Sequence, residues 1–296
     1  EKEPGAIMTP PNAQKFGQFL GNRYKDRESI VWALGGDGSP TPGAPTYAND
    51  VATINALAGG LTAGGSTHLK SYHPGGNKSS STTAFSSWLD FNMVQSGHGS
   101  PNTNAAIWNT LIGGATGDWN KTPTKPVIDA EPIYEDIQTP LFGATVDTPY
   151  STAHQVRRAA YADLFTGGFG YTYGANGVFQ FTTQPSPNVI QRPRYIWQDA
   201  LNFEGAQDMQ HMRNLMESRP LLGRIPDQSL LTPSQPAGNE NRISATRASD
   251  GSYAMIYSSG GANFSANLNK LSGTTVRARW YNPRTGEVTT IGDFAK

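Results

Sequence analysis

The chain has 296 residues, 36% hydrophobic and 10% aromatic, enough to bury a large core in one big domain or two smaller ones. Lys plus Arg and Asp plus Glu balance at 23 each, so no global field draws nucleic acid or an anionic membrane, and a neutral partner fits better. The absence of cysteine excludes a disulfide framework, a thiol nucleophile and a Cys-ligated metal, and no window nears the roughly 18 consecutive apolar residues of a membrane span.

Charged residues are only 16% of the chain while Gly (33) and Pro (21) are plentiful, which points to many turns and a surface of Ser, Thr, Asn and Gln, as in many exported proteins. The opening "EKEPGAIMTPP" has no basic region followed by an apolar one, so the chain shows no signal peptide. From Asn12 to Lys25, Phe16, Phe19, Leu20 and Tyr24 fall on one helical face. "SIVWALGGDGSP" follows, an apolar run that stops at Gly35 and Gly36 and presents Asp37. A run bounded by glycines reads as a buried strand, and its C-terminal edge is where α/β enzymes place their chemistry.

The pattern repeats. Val51, Ile54, Leu57 and Leu61 predict a helix, "THLKSYHP" a strand ending at His73, and "WLDFNMVQSGH" a strand ending at His98. A short helix is expected around Ala105 to Leu111, then "KPVIDAEPIYE", whose apolar part stops at Glu131. "STAHQVRRAAYADLFTGG" has a helical period and a Gly stop, and "FGYTYGANGVFQF" reads as a strand or strand pair. A last helix, Trp197 to Glu217, carries Leu201, Met209, Met212 and Met216. Strands alternating with helices argue for parallel βα units, five of them. From Ile225 to Arg242 the composition is that of a linker, and "RISATRASDGSYAMIYS" and "TVRARWYNPRTGEVTTI" alternate with period two as a small antiparallel β domain.

Placing the strand ends on one rim gathers Asp37, His73, Gln95, His98, Glu131, Glu135 and Tyr173 in a single mouth. Two acids there suit glycoside cleavage, in which one carboxyl group protonates the leaving oxygen and the other attacks the anomeric carbon or activates water. Each residue also has a plainer reading. Asp37 in Gly-Gly-Asp-Gly is turn chemistry, Glu131 before Pro132 can cap or pair, and His73 and His98 can be satisfied rim histidines. Tyr134 and Tyr173 read as packing aromatics, although an aromatic beside an acid also supports a sugar ring. "GGFGYTYG" lacks the spacing of a phosphate cradle. His73, His98 and Asp37 lack the paired spacing of a zinc site, so neither a metal nor a cofactor is expected.

Four ordered strings, "RYKDRESIVWALGGD", "WLDFNMVQSGH", "PVIDAEPIYE" and "RRAAYADLFTGGFGYTYGA", resemble glycoside hydrolase family 140 and its wider group, domain-of-unknown-function family 4038. The tail with "ARWYNPRTGE" resembles the collagen-binding-like β domain that often follows it. The resemblance implies a (β/α)8 barrel with a C-terminal β sandwich, acting on plant glycans and releasing pectic side chains linked through apiose. It maps the general acid/base onto Asp37 and the nucleophile onto Glu131, 94 residues apart, as suits fourth and seventh barrel strands. The sugar site would be lined by His73, Gln95, His98, Tyr134, Glu135 and Tyr173. A position where relatives often carry His is here Tyr171 or Thr172, which puts substrate preference in question.

If Asp37 ends the fourth strand, about strands four to eight are present. The expected organisation is therefore a partial barrel over 1–223, a linker over 224–242 and a β domain over 243–296, in a fragment of a longer enzyme with apolar surface left open. The expected protein is a secreted or periplasmic, monomeric hydrolase with an oligo- or polysaccharide substrate and no nucleic-acid or membrane partner. The alternative is a non-catalytic carbohydrate- or matrix-binding protein on the same fold.

Overall fold

The computed structural model describes residues 7–98, 117–141, 143–232 and 242–296. Helix α1 (Pro10–Tyr24) opens on two prolines, which suit a first turn whose N–H groups have no partner. It crosses α2 (Tyr47–Ala63) so closely that their backbones touch. Ala13, Gly17 and Gly21 are the buried positions of α1, and a Cβ at Gly17 or Gly21 would run into the carbonyl of Leu57 or Leu61. The helix lies where predicted, and of its predicted face Leu20 packs on the core and Tyr24 on Trp32, but the other two residues turn outward. Phe16 and Phe19 are 47% and 56% exposed, because the contact is set by small residues four apart rather than by the largest apolar ones.

Among the described residues five short parallel strands follow in chain order. β1 (Trp32–Gly35) pairs with β2 (Lys70–His73), Gly35 opposite His73. β4 (Asn92–Gln95), β5 (Val127–Asp129) and β6 (Gly170–Tyr171) form a second parallel set, with β3 (Lys78–Ser79) antiparallel on the outer side of β4. The two sets adjoin: the Asp90 N–H donates to Lys70 O at 2.9 Å and Ser71 Oγ donates to Phe91 O at 2.7 Å. The count agrees with the βα units in the sequence. Among the described residues β1 pairs only with β2, and β6 only with β5. Leu34, Tyr72, Phe85 and Leu61 pack between α2 and the first two strands, and Ile133, Ile137 and Val156 pack beneath the loop after β5.

The "FGYTYGANGVFQF" strand is shorter than expected. Gly170–Tyr171 pairs as a strand, Ala175 forms a single parallel bridge with Glu135, and Asn176–Phe179 turns helical. Gly174 is the position where the chain passes close to the Tyr134 ring, which any side chain there would strike. The last predicted helix is two, Trp197–Ala200 and α4 (Glu204–Glu217), with Leu201 exposed at the break. Helix α3 (Ala153–Phe165) lies where its period predicted, its start closed by the Thr152 N–H donating to Gln155 Oε1 at 2.9 Å. The helix expected at Ala105 to Leu111 falls outside the described residues.

The expected linker is partly sheet. β7 (Arg224–Pro226) pairs antiparallel with β9 (Ile243–Ala248), which also pairs with β10 (Ala254–Ser258). β8 (Leu231–Thr232) pairs with β11 (Ser265–Ala266), and β12 (Thr275–Tyr281) with β13 (Val288–Ala295). These antiparallel sheets sit against the helices before them. Tyr257 stacks on Tyr161 of α3 at 4.4 Å, and Tyr281 OH donates to His211 O in α4 at 2.7 Å. Among the described residues no helix is long and apolar enough to cross a membrane.

Candidate active site

The C-terminal ends of β1, β2, β4 and β5 carry the polar residues that the sequence singled out. Asp37 follows β1 across Gly35 and Gly36, both at positive φ (+82° and +142°), and itself adopts φ +41°. Three successive left-handed residues fold the chain back sharply, and a short polar side chain such as Asp tolerates this region. The turn reading and the functional reading of Asp37 thus describe one device: the turn aims the carboxylate. Gln95, the last residue of β4, donates from Nε2 to Asp37 Oδ1 at 2.9 Å. Asp37 is exposed.

Glu131 lies two residues beyond β5 and is held from three sides. His98 Nε2 stands 3.0 Å from Oε1, Tyr134 OH donates to Oε1 at 3.1 Å, and His73 Nε2 stands 3.3 Å from Oε2. Partial burial alone would push this carboxyl up. The hydrogen bond and charge of His98, the charge of His73 and the Tyr134 hydroxyl outweigh it and hold Glu131 below the usual carboxylate range. The cost appears at Tyr134, whose phenol is pushed far up by burial and by the Glu131 charge, and so stays a donor.

His73 joins the two acids. With Nε2–H donated to Glu131, the neutral ring accepts the Asp37 N–H at Nδ1 (3.4 Å); as imidazolium it donates from Nδ1 to Pro74 O at 3.0 Å. Both histidines point Nε2 at Glu131, and among the described residues no group of three His, Asp or Glu side chains is arranged to hold a metal ion.

Glu135 and Tyr173 make a separate arrangement. Tyr173 OH donates to Glu135 Oε2 at 2.7 Å, and the Gly205 N–H, in the first turn of α4, donates to Oε1 at 3.3 Å. A carboxylate there complements the helix dipole. Burial still pushes Glu135 up, against the Tyr173 and Gly205 hydrogen bonds. Its bonds tie α4 to the loop after β5.

Two further residues were not singled out from the sequence. Asp129, fully buried, accepts from Ser96 Oγ at 2.6 Å and from the Ser96 N–H at 3.3 Å. The Gly97 N–H donates to Glu131 O at 3.0 Å, so these bonds fix the backbone leading to His98 against the β5 end. Strand alternation puts residues 129 and 131 on one face, and an acid inside the apolar run "PVIDAE" was the available signal.

A family model described as the apiosidase-like catalytic domain matches residues 1–223, and one described as a putative collagen-binding domain of a collagenase matches residues 225–296. Among solved structures, a glycoside hydrolase family 5 protein from Bacteroides vulgatus is 33% identical with a TM-score of 0.87, covering 98% of this chain and 62% of its own. A second, described as a glycoside hydrolase, is 34% identical with a TM-score of 0.84, covering 98% of this chain and 65% of its own. The chain thus spans under two thirds of the length of these structures. No curated protein matches it. These likenesses give a glycoside hydrolase fold of the (β/α)8 type, and the related structure carries a family 5 description where the sequence motifs resemble family 140.

Proposed function

Because the chain belongs to the apiosidase-like family of catalytic domains, we propose that it hydrolyses glycosidic bonds with retention of configuration, Glu131 acting as nucleophile and Asp37 as general acid/base. The observation that carries this reading is the triple hold on the Glu131 carboxylate by His73, His98 and Tyr134. An ionised carboxylate fixed by donors at a strand end suits attack on an anomeric carbon, and a mere binding cleft has no need of one. Oε1 takes two partners and Oε2 one, the longer contact to His73, so Oε2 is the freer oxygen and the attacking one.

In the first step the Oε2 electron pair forms a bond to the anomeric carbon while the glycosidic bond breaks, and the leaving oxygen takes the Asp37 proton. A glycan lying across the mouth excludes water from the exposed Asp37 carboxyl at that moment. In the second step Asp37 takes a proton from water, the water oxygen bonds to the same carbon, and Glu131 leaves as carboxylate. Gln95 holds Asp37 in place throughout.

We infer a substrate among plant cell-wall glycans, with apiose-linked pectic side chains first in line as the family 140 resemblance implies, and action outside the cell as a monomer. Release of reducing sugar from pectic side chains, set beside xylan and arabinan, tests the reading. Release by the wild type but not by Glu131→Gln supports it. Equal release by both, or none from any glycan, contradicts it.

A further inference from the structure

The helical turn Asn176–Phe179 closes in an unusual way. The Phe181 N–H donates to Val178 O and the Thr182 N–H to Gly177 O, each at 3.0 Å, and Phe181 is left-handed at φ +48°. This paired closure favours glycine at the left-handed position. Phe181 stands there instead, and it is 71% exposed, so burial does not compensate the strained backbone. A residue that suits neither its conformation nor its solvent exposure points to a role at the surface.

Its surroundings indicate which role. The Phe181 ring meets the half-buried Trp197 edge-on, with 67° between the planes and 6.3 Å between centroids, and the Trp197 backbone N–H donates to Thr182 O at 2.8 Å, which ties the start of the Trp197–Ala200 helix to this turn. Two residues earlier, Phe179 is 44% exposed, with its ring 5.6 Å from Tyr134, the residue that donates to Glu131. The turn therefore carries two exposed aromatics, Phe179 and Phe181, and Phe179 links it through Tyr134 to Glu131.

We propose that Phe179 and Phe181, the latter supported edge-on by Trp197, form a stacking platform for pyranose rings of the glycan on the path to and from the scissile bond. Sugar rings present flat C–H faces to aromatic rings and hydroxyls to water at their edges. The neutral overall charge of the chain agrees with a neutral occupant. The platform rests on the hydrolase reading above and extends it to binding beyond the reacting sugar.

The test uses the full chain carrying Glu131→Gln, so that no sugar turns over, run through native gels containing pectin, xylan or arabinan. Retardation by at least one glycan is expected, and adding Phe181→Gly should weaken it on the order of tenfold. Because glycine suits the left-handed position, the same variant should keep or raise the Tm. Phe294→Ala, on β13, serves as an exposed-aromatic control and should bind as the parent does. Unchanged retardation with Phe181→Gly, or no retardation of the parent by any of the three glycans, overturns the platform. Hydrolysis by the wild type alongside unchanged Phe181→Gly binding overturns the platform alone. Retardation that Phe181→Gly abolishes, in a protein whose wild type hydrolyses nothing, upholds the platform and overturns the hydrolase reading.

Discussion

Glu131 Oε2 lies 3.3 Å from His73 Nε2, and the other nitrogen of that imidazole receives the Asp37 N–H at 3.4 Å. The neutral ring holds the Asp37 backbone and the imidazolium adds a charge beside Glu131, so one side chain contacts both acids. Replacing it by His73→Ala removes a charge that helps hold Glu131 low, so the acid limb of kcat/KM should move to higher pH. The turn carrying Asp37 loses its tether in the same variant, and kcat should fall on the order of 10². A pH–rate profile measures both. An unmoved acid limb would detach His73 from the nucleophile.

The buried Asp129 makes a prediction of opposite sign. Burial pushes it up to about 7, against the Ser96 hydrogen bonds and with a further push from Glu131. An unfolded chain titrates this group near ~3.9, so between about pH 4 and 7 the native state binds the extra proton. Its stabilising contribution is complete below that window and lost as pH rises through it. Asp163, fully buried and also raised, by burial and then by Asp129, adds to the same decline. Asp129→Asn should therefore flatten the fall of Tm across this window. Glu131, held low, acts at more acid pH, where its contribution is lost as it protonates. Thermal melts over pH 4 to 8 should show a shallower slope for the variant; a steeper one would assign the proton elsewhere.

The α1–α2 crossing separates space-filling from exposure. Gly17→Ala forces a methyl group against the Leu57 carbonyl and should destabilise by ~1–3 kcal/mol. Phe16→Ser, on the exposed side, should stay within about 0.5 kcal/mol. Urea denaturation compares the two. A larger loss from Phe16→Ser would restore the apolar face that the sequence periodicity predicts.

Legibility in the sequence followed what each signal measures. Apolar runs ending in a polar residue located β1, β2, β4 and β5, and hence Asp37, His73, Gln95 and Glu131, because strand ends are set by local pattern. His98 was read as the end of the third predicted strand, which stops at Gln95, and the Ser96–Gly97 segment that carries His98 onward is held to β5 by bonds to Asp129 and Glu131. The contact face of α1 was not legible, because a Gly–Gly crossing carries no hydrophobic periodicity. Strand β6 was over-read, since the close approach of Tyr134 to the backbone at Gly174 depends on a distant loop. Glu135 and Tyr173 were gathered with the other strand ends on one rim, and the structure joins them to each other and Glu135 to the start of α4, a link that the sequence does not show. The β7 strand hid in a Pro-rich stretch because its partner, β9, begins nearly twenty residues later.

The assignment of the two acids is tested most directly by pairing Asp37→Asn and Glu131→Gln on a natural glycan and on an activated aryl glycoside. Asp37→Asn should lose roughly 10² to 10⁴ in rate on the glycan, whose oxygen leaves badly without a proton, and keep glycosylation by the aryl substrate. Added azide should speed its turnover and give the glycosyl azide of retained configuration, since azide attacks the intermediate without a general base. Glu131→Gln should recover the retaining reaction on neither substrate. Equal losses by both variants on both substrates with no azide rescue, or wild-type activity in either variant, would contradict the account.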